Sequence, residues 1–438
     1  MNRRQLLTSA AALPAFVPSR AFGANDRIQV GFIGVGGRGR WLLDYFPADT
    51  PQAEVVAVAD CYLPRCYGKD PNRKAPPHPQ MERWAKYQDY REMLDKQKLD
   101  AVFIETTTHA RALAVVHALQ AGLDVYAEKP LTLTVAEGRV LANAVARYNR
   151  VLQTGTQQRS MPINRYASEL VRSGTIGKIE SVTVCNFLPP LAWLPHEGQP
   201  VPDGLDWDKW CNQAELRPYH PRLQRGWGWW WDYDGGGQSW GVSGWGTHSL
   251  DQVQCALGTD DTGPVEIWTE DGITQDAPDF PARKDPGFGF TRGRKPVMMR
   301  YASGTVLKLD EPGRAGLEQL GAIFQGADGM IHIFRGRFTT DRPDLTRNAP
   351  DPTRMGKGED VAHLRNFFEC VRSRKKPYAD VETAHRATTV CHLVNICRQV
   401  DRRLKWDPKA ERFTGDDEAN AMLARPRRKG YELPQVTA

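Results

Sequence analysis

The stretch Arg27-Ile28-Gln29-Val30-Gly31-Phe32-Ile33 runs directly into Gly34-Val35-Gly36-Gly37-Arg38-Gly39, and a helix-forming segment, Trp41 to Phe46, follows. A buried-strand pattern, then GxGxxG, then a helix is the order required by the phosphate-binding turn of a parallel α/β sheet. Gly34 permits the tight bend, Gly36 lets backbone approach a diphosphate, and Gly39 lets helix and strand pack closely. The helix N-terminus then offers free N–H groups to the anion. A second apolar strand, Val55 to Ala59, ends in Asp60. That is about twenty residues past the glycines, where a carboxylate accepts hydrogen bonds from an adenosine ribose. A carboxylate there repels a 2′-phosphate, so NAD is favoured over NADP, although Arg65 nearby would suit the phosphate.

The alternation continues. Tyr90–Lys96, Ala110–Ala121 and Thr134–Asn149 read as helices, and Ala101–Thr106 and Asp124–Ala127 as buried strands. This predicts an α/β fold with a doubly wound parallel sheet of the Rossmann type, with chemistry at the strands' carboxyl ends. Two such ends carry polar groups, Thr106-Thr107-Thr108-His109 and Glu128-Lys129-Pro130. Residues 64–86, rich in Pro, Lys and Arg, read as a surface insertion.

Further along, Ile179–Phe187, Val265–Thr269, Val297–Tyr301, Thr305–Leu309, Ala322–Gln325 and Met330–Phe334 read as strands. Ala327-Asp328-Gly329 reads as a hairpin turn. Asp360–Arg372 and Glu382–Val400 read as helices. The expected division is a signal peptide over 1–23, a dinucleotide domain over 24–155, a second α/β domain over 156–400, and a tail over 401–438 that packs back on the surface.

Composition narrows the classes. Of 438 residues, 40% are hydrophobic and 25% charged, which excludes disorder. No apolar run reaches the roughly 18–20 residues of a membrane helix, so no membrane insertion is expected. The net charge of +6 includes three arginines of the leader, and the remaining excess makes no case for nucleic acid. Arg3-Arg4, the short apolar stretch Ala10–Val17 and Ala21-Phe22-Gly23 predict a twin-arginine signal, hence a periplasmic or secreted protein exported folded. The eight cysteines show no CxxC and are expected to be mostly buried thiols. No His/Cys/carboxylate spacing points to a metal.

The ordered set of Gly34–Gly39, Asp60, Thr106–His109, Glu128-Lys129-Pro130, Gln153–Arg159, Ser173–Ile179, Leu205–Trp210, Arg217–Pro221 and His363–Trp406 resembles the Gfo/Idh/MocA oxidoreductases, and in particular a signal-bearing branch of them. The resemblance implies an NAD(P) domain followed by an α/β domain whose open, mostly antiparallel sheet supports homo-oligomers. It implies cofactor contacts from Gly34, Gly36, Gly37, Arg38, Gly39, Asp60, Thr106, His109, Glu128 and Lys129. It also makes Lys129 and His248 the catalytic candidates, Lys129 as a partly desolvated ammonium that helps a substrate hydroxyl lose its proton. The family carries an aspartate four residues before its histidine; here that position is Gly244. Asp251, Asp232, Asp234 and Tyr233 are the candidates to replace it, Asp251 more naturally as a helix anchor.

Ten of the 13 tryptophans fall between Trp193 and Trp268, which suggests indoles stacking on sugar rings, with the core as the other use for them. Arg159, His109, His196, His220, Tyr233, Asp234 and Trp245 are candidate contacts for a carbohydrate, whereas His363, His385 and His392 sit on helical patterns and read as structural. An exported protein cannot exchange reduced cofactor freely, so each turnover must restore it. Three readings follow: a sugar or polyol oxidoreductase working in paired half-reactions; a redox-neutral glycosidase or lyase that oxidises, eliminates, adds water and reduces; and a carbohydrate-binding protein that keeps NAD as a structural element.

Overall fold

A computed structural model describes residues 27–46, 49–70, 76–191, 193, 196–237, 241–270, 295–310, 320–353 and 357–436. The expected leader, with Arg3, Arg4 and the expected cleavage site, lies outside the described residues, as does Trp240.

The first half builds one sheet in which every pairing is parallel. Its elements run β1 (Ile28–Ile33), α1 (Gly37–Leu43), β2 (Ala53–Ala59), β3 (Ala85–Tyr87), α2 (Tyr90–Lys96), β4 (Ala101–Ile104), α3 (Thr108–Gln120), β5 (Asp124–Ala127), α4 (Val135–Tyr148) and β6 (Leu152–Thr154). The spatial order is β3-β2-β1-β4-β5-β6, so the winding direction reverses between β1 and β4. A crevice opens at the carboxyl ends of the strands at such a reversal. Phe32 of β1 stacks on Phe103 of β4 at 4.7 Å, and Phe103 on Tyr126 of β5 at 4.8 Å. Each of these fully buried rings contributes roughly 1.5–3 kcal/mol through burial. Thr134 caps α4 through its hydroxyl, and Asn149 ends it in the left-handed region, as their residue types favour.

The second half continues through α5 (Pro162–Arg172), β7 (Ile179–Cys185), α6 (Trp207–Cys211), α7 (Pro221–Arg225), α8 (Thr247–Leu257), β8 (Pro264–Thr269), β9 (Val297–Tyr301), β10 (Val306–Asp310), β11 (Ala322–Gly326), β12 (Gly329–Phe334), β13 (Arg337–Thr340), α9 (Lys357–Ser373), α10 (Val381–Val400), β14 (Leu404–Asp407), β15 (Arg412–Phe413) and α11 (Asp417–Ala421). The strands form a nine-stranded sheet, β13-β12-β11-β7-β10-β9-β8-β14-β15, antiparallel except where β10 pairs with β7. The α/β class with one parallel and one mostly antiparallel sheet is thus as the sequence reads.

Three differences matter. Residues 64–86 are more than a surface insertion: Cys66, Met81 and Trp84 are buried in the first core, and β3 follows at once to pair with β2. The chain after Val400 adds β14 to the edge of the second sheet, against β8. Helix α9 crosses back to the first sheet, where Leu364, Phe367 and Phe368 join the Phe32–Phe103 core. Helix α10 is buried nearly along its full length and packs on both α4 and α8. Together α9 and α10 fix the two sheets relative to each other. No described helix is long and apolar enough to cross a membrane.

Candidate active site

The glycine turn takes the geometry its residues allow. Gly34 sits at φ 92°, and a Cβ there would stand 2.8 Å from the Glu105 carbonyl. A Cβ on Gly39 would stand 2.2 Å from the Gly34 oxygen, so helix α1 and strand β1 approach as closely as two glycines permit. Gly36 caps α1 without a side chain, which leaves the helix's first N–H groups unclaimed by any cap. Asp60 is held ready at the end of β2: Oδ2 accepts from the Val35 N–H and Oδ1 from the Tyr62 N–H, each at 2.9 Å. Each oxygen keeps lone-pair capacity beyond that bond.

Gly34, Gly36, Gly37 and Asp60 border a cleft of about 570 Å³ that runs on to Lys129 and His248. Lys129 precedes a cis proline at the end of β5, and its Nζ donates to the Gly244 carbonyl at 3.3 Å. The backbone oxygen of Gly244 therefore meets the ammonium where the family places a carboxylate nearby. His248 lies in the first turn of α8, after a wide π-type turn over Val242–Gly246. Its Nδ1 has no hydrogen-bond partner among the described residues. Thr106 Oγ1 and both Glu105 carboxyl oxygens, also on the cleft, are likewise unpartnered.

The charges around Lys129 form a chain. Arg38 Nε donates to Glu128 Oε1 at 2.7 Å, and its Nη2 to Asp360 Oδ1 at 2.7 Å. Asp360 also accepts from Trp41 Nε1 at 2.8 Å. Burial pushes the Glu128 carboxyl up, but Arg38, Lys129 and Arg111 outweigh it and hold the group below the usual carboxylate range. Glu105 goes the other way, driven well up by burial and then by the Glu128 charge. Burial also lowers the Lys129 ammonium; Glu128 and Asp234 oppose that shift, and Arg38 and Arg335 add to it. His248 is pushed well below an ordinary imidazole by burial and then by Arg335, Lys129 and Arg38, so it stands neutral. The site thus pairs a destabilised ammonium with a neutral imidazole, a combination suited to moving a proton.

A family model described as the NAD-binding Rossmann fold of an oxidoreductase family matches residues 28–156, and that family's C-terminal alpha/beta domain matches residues 167–433. The chain belongs to the Gfo/Idh/MocA oxidoreductase family. Among curated relatives, scyllo-inositol 2-dehydrogenase (NAD(+)) of Bacillus subtilis is 25% identical over 177 residues, 40% of this chain and 49% of that protein. Inositol 2-dehydrogenase of Rubrobacter xylanophilus is 28% identical over 156 residues, 35% of this chain and 42% of its own length. The chain thus spans about half the length, or less, of these relatives. Among solved structures, the WlbA dehydrogenase of Bordetella pertussis, in complex with NADH and UDP-GlcNAcA, has a TM-score of 0.58 at 15% identity, covering 87% of this chain and 99% of that one. Myo-inositol 2-dehydrogenase of Lactobacillus plantarum gives 0.56 at 19%, covering 86% and 99%. These likenesses show the fold.

This Gfo/Idh/MocA chain places several expected site residues elsewhere. His109 is fully buried: its Nε2 meets the Trp210 carbonyl at 2.8 Å, its ring packs edge-on against Tyr233, and burial lowers it to about 4. It supports the cleft wall and does not border the cleft. Tyr233 is buried behind it, and its hydroxyl donates to the Glu215 carbonyl. Asp234 is also fully buried and makes no direct contact with the cleft. Arg159 is a structural clamp, donating to both Asp251 oxygens at 2.8 Å and to Asp260 at 2.7 Å, so Asp251 anchors α8. His220 caps α7 and stacks on His196 at 5.0 Å. Trp245 packs against the second core.

Most of the tryptophan cluster is likewise core: Trp207 stacks on Trp210 at 4.5 Å, and Trp230 meets Trp193 edge-on at 4.9 Å. Of the indoles, Trp210 and Trp227 border the cleft. Further cleft residues not expected from the sequence include Glu105, Arg111, Arg335 and Tyr431. Arg111 alone carried a signal, a charge on the apolar face of α3; it is fully buried and donates to the Pro130 and Thr106 carbonyls.

Proposed function

We propose that this chain is an NAD-dependent oxidoreductase acting on a hydroxyl of a sugar or polyol, with a tightly held cofactor, after export by the twin-arginine route. The observation that carries the reading is one cleft bordered at one end by the glycine turn and Asp60 and at the other by Lys129 and His248. The named activities of the two curated relatives, both inositol dehydrogenases, support a polyhydroxylated substrate. The leader with Arg3 and Arg4 supports export, and the family resemblance supports pairing of copies through the nine-stranded sheet.

A bound nicotinamide supplies a hydride acceptor. The protein's own share is proton handling and orientation. Glu128 and Arg38 hold one side of Lys129; the neutral amine accepts the proton of the substrate hydroxyl, and the ammonium returns it in the reverse direction. Neutral His248 borders the same cleft and is able to accept a proton there. Asp60 favours NAD by charge, and its neighbour Arg65, 3.9 Å away, is also paired with Asp70 at 2.9 Å.

The unpartnered, neutral His248 favours a second reading, redox-neutral cleavage of a glycoside. There His248 removes the proton acidified by a transient neighbouring carbonyl. Purified protein is incubated with a panel of polyols, aldoses and glycosides in deuterated water. A separate oxidised sugar supports the first reading. Solvent deuterium at C2 of a released sugar supports the second. Tight sugar binding with neither product would leave only a carbohydrate-binding protein.

A further inference from the structure

Three acids are close enough in sequence to stand in for the carboxylate absent at Gly244, and the structure leaves one of them. Asp232 is half-buried and bound to Arg217 at 2.7 Å. Asp251 is held through both oxygens by Arg159. Asp234 is fully buried; its Oδ2 accepts from the Thr108 hydroxyl, and its Oδ1 has no hydrogen-bond partner among the described residues. A Cβ on Gly237 would stand 2.6 Å from the Asp234 carboxyl carbon and from each of its oxygens. Gly237 borders the cleft that Lys129 also borders, so one glycine separates this carboxyl from that cleft.

The same loop reaches Lys129 through backbone. Gly236, two residues after Asp234, accepts from the Gly244 N–H at 3.0 Å, and Gly244 accepts from Lys129 Nζ at 3.3 Å. The charged groups acting on Asp234 are Arg111, Lys129 and Arg425, the Cys391 thiol also lies within reach of its charge, and the Gly235 N–H adds a dipole. Those acting on Lys129 are Glu128, Asp234, Arg38 and Arg335, with the neutral His248 imidazole also within reach of its charge. Glu128 is already committed to Arg38 at 2.7 Å and to the Lys129 backbone N–H at 2.9 Å.

We propose that Asp234 is a positioning residue: the buried charge behind the cleft wall that sets the pH at which the Lys129 amine becomes free to take a proton. The role deepens the functional reading above and rests on Lys129 being the proton-handling group. The step it governs is a proton transfer, in which a substrate O–H bond breaks and an N–H bond forms on the neutral amine. Burial raises Asp234 to about 6. Above that pH the Asp234 carboxyl carries its charge behind the cleft wall, and below it the charge is lost. Thr108 favours the anion by its hydrogen bond.

The test reads the lysine directly, without substrate. The full-length protein, as purified, is pulsed with trace acetic anhydride across a pH series, and acetylation of the Lys129 peptide is quantified by mass spectrometry. Removing a nearby anion favours the neutral amine, so Asp234→Asn lowers the midpoint by about one pH unit. Asp234→Glu restores most of it, and Thr108→Val moves it the same way by less. A midpoint unmoved in a folded Asp234→Asn protein, or moved equally by Asn and Glu, overturns the proposal. If circular dichroism shows Asp234→Asn unfolded, Thr108→Val decides, and an unmoved midpoint again overturns it. Absence of a nicotinamide dinucleotide from the purified protein would defeat the functional reading instead, while the lysine titration still decides the part played by Asp234.

Discussion

The two walls of the cleft are made differently. On one side the groups sit at the ends of regular strands: the glycine turn after β1, Asp60 after β2, Glu105 after β4, Lys129 after β5. On the other side they hang from irregular backbone: His248 behind a π-type turn, Trp210 and Trp227 on short helical turns, Tyr431 near the end of the chain. The first wall positions groups by strand register, which a few kcal/mol of local change does not move. The second is positioned by contacts between distant segments, such as Arg428 and Tyr431 on Asp208. On the proposed function, cofactor binding belongs to the first kind of wall and choice among substrates to the second.

Substitutions on each wall sharpen this contrast. Lys129→Met removes the proton acceptor and is expected to lower kcat by about 10³-fold, or about 4 kcal/mol, with bound dinucleotide retained. Single-turnover rates and nucleotide content check it; equal loss of both would mean that Lys129 mainly holds cofactor. Arg159→Met strips the charge partner from buried Asp251 and is expected to cost about 3–5 kcal/mol of stability. Thermal unfolding tests this, and a normal Tm with raised KM would instead return Arg159 to the substrate contacts.

Asp60→Asn removes the charge and leaves one acceptor oxygen for the two backbone N–H groups of Val35 and Tyr62, so NAD binding should weaken by about tenfold or more and the preference over NADP should narrow. Titration with each dinucleotide measures both. The smallest effect concerns His109, whose imidazole is lowered from 6.5 to about 4 by burial. Between those values the unfolded chain binds a proton that the folded chain refuses, so stability falls as pH falls through this window. His109→Gln should therefore lose less stability than the native protein between pH 7 and 5, by on the order of 1 kcal/mol. Identical acid profiles would place His109 in contact with solvent.

The same contrast explains what could be read in advance. Strand, turn and helix in the first half follow from apolar periodicity and glycine spacing over short stretches, and so Asp60 and Lys129 were legible. The second sheet was legible as strands, but its edge partner β14 was not, because Leu404–Asp407 becomes a strand only through pairing with β8. His109 was misread because its position in the first turn of α3 says nothing about which way the ring turns, and Trp210 and Tyr233 provide a dry slot behind it. Arg159 looked like a hydroxyl partner because its two acids lie far along the chain. The tryptophans promised a sugar platform, yet most satisfy one another. Arg335 and Tyr431 gave no sign, since each reaches the cleft by long-range folding alone.

The central claim is that the glycine turn and Asp60 hold NAD firmly enough to survive purification. Protein isolated without added nucleotide is denatured, and what it releases is identified by mass spectrometry. The account predicts NAD or NADH at close to one equivalent per chain. Release of NADP, or of no pyridine dinucleotide from protein that also fails to take up NAD, would contradict it.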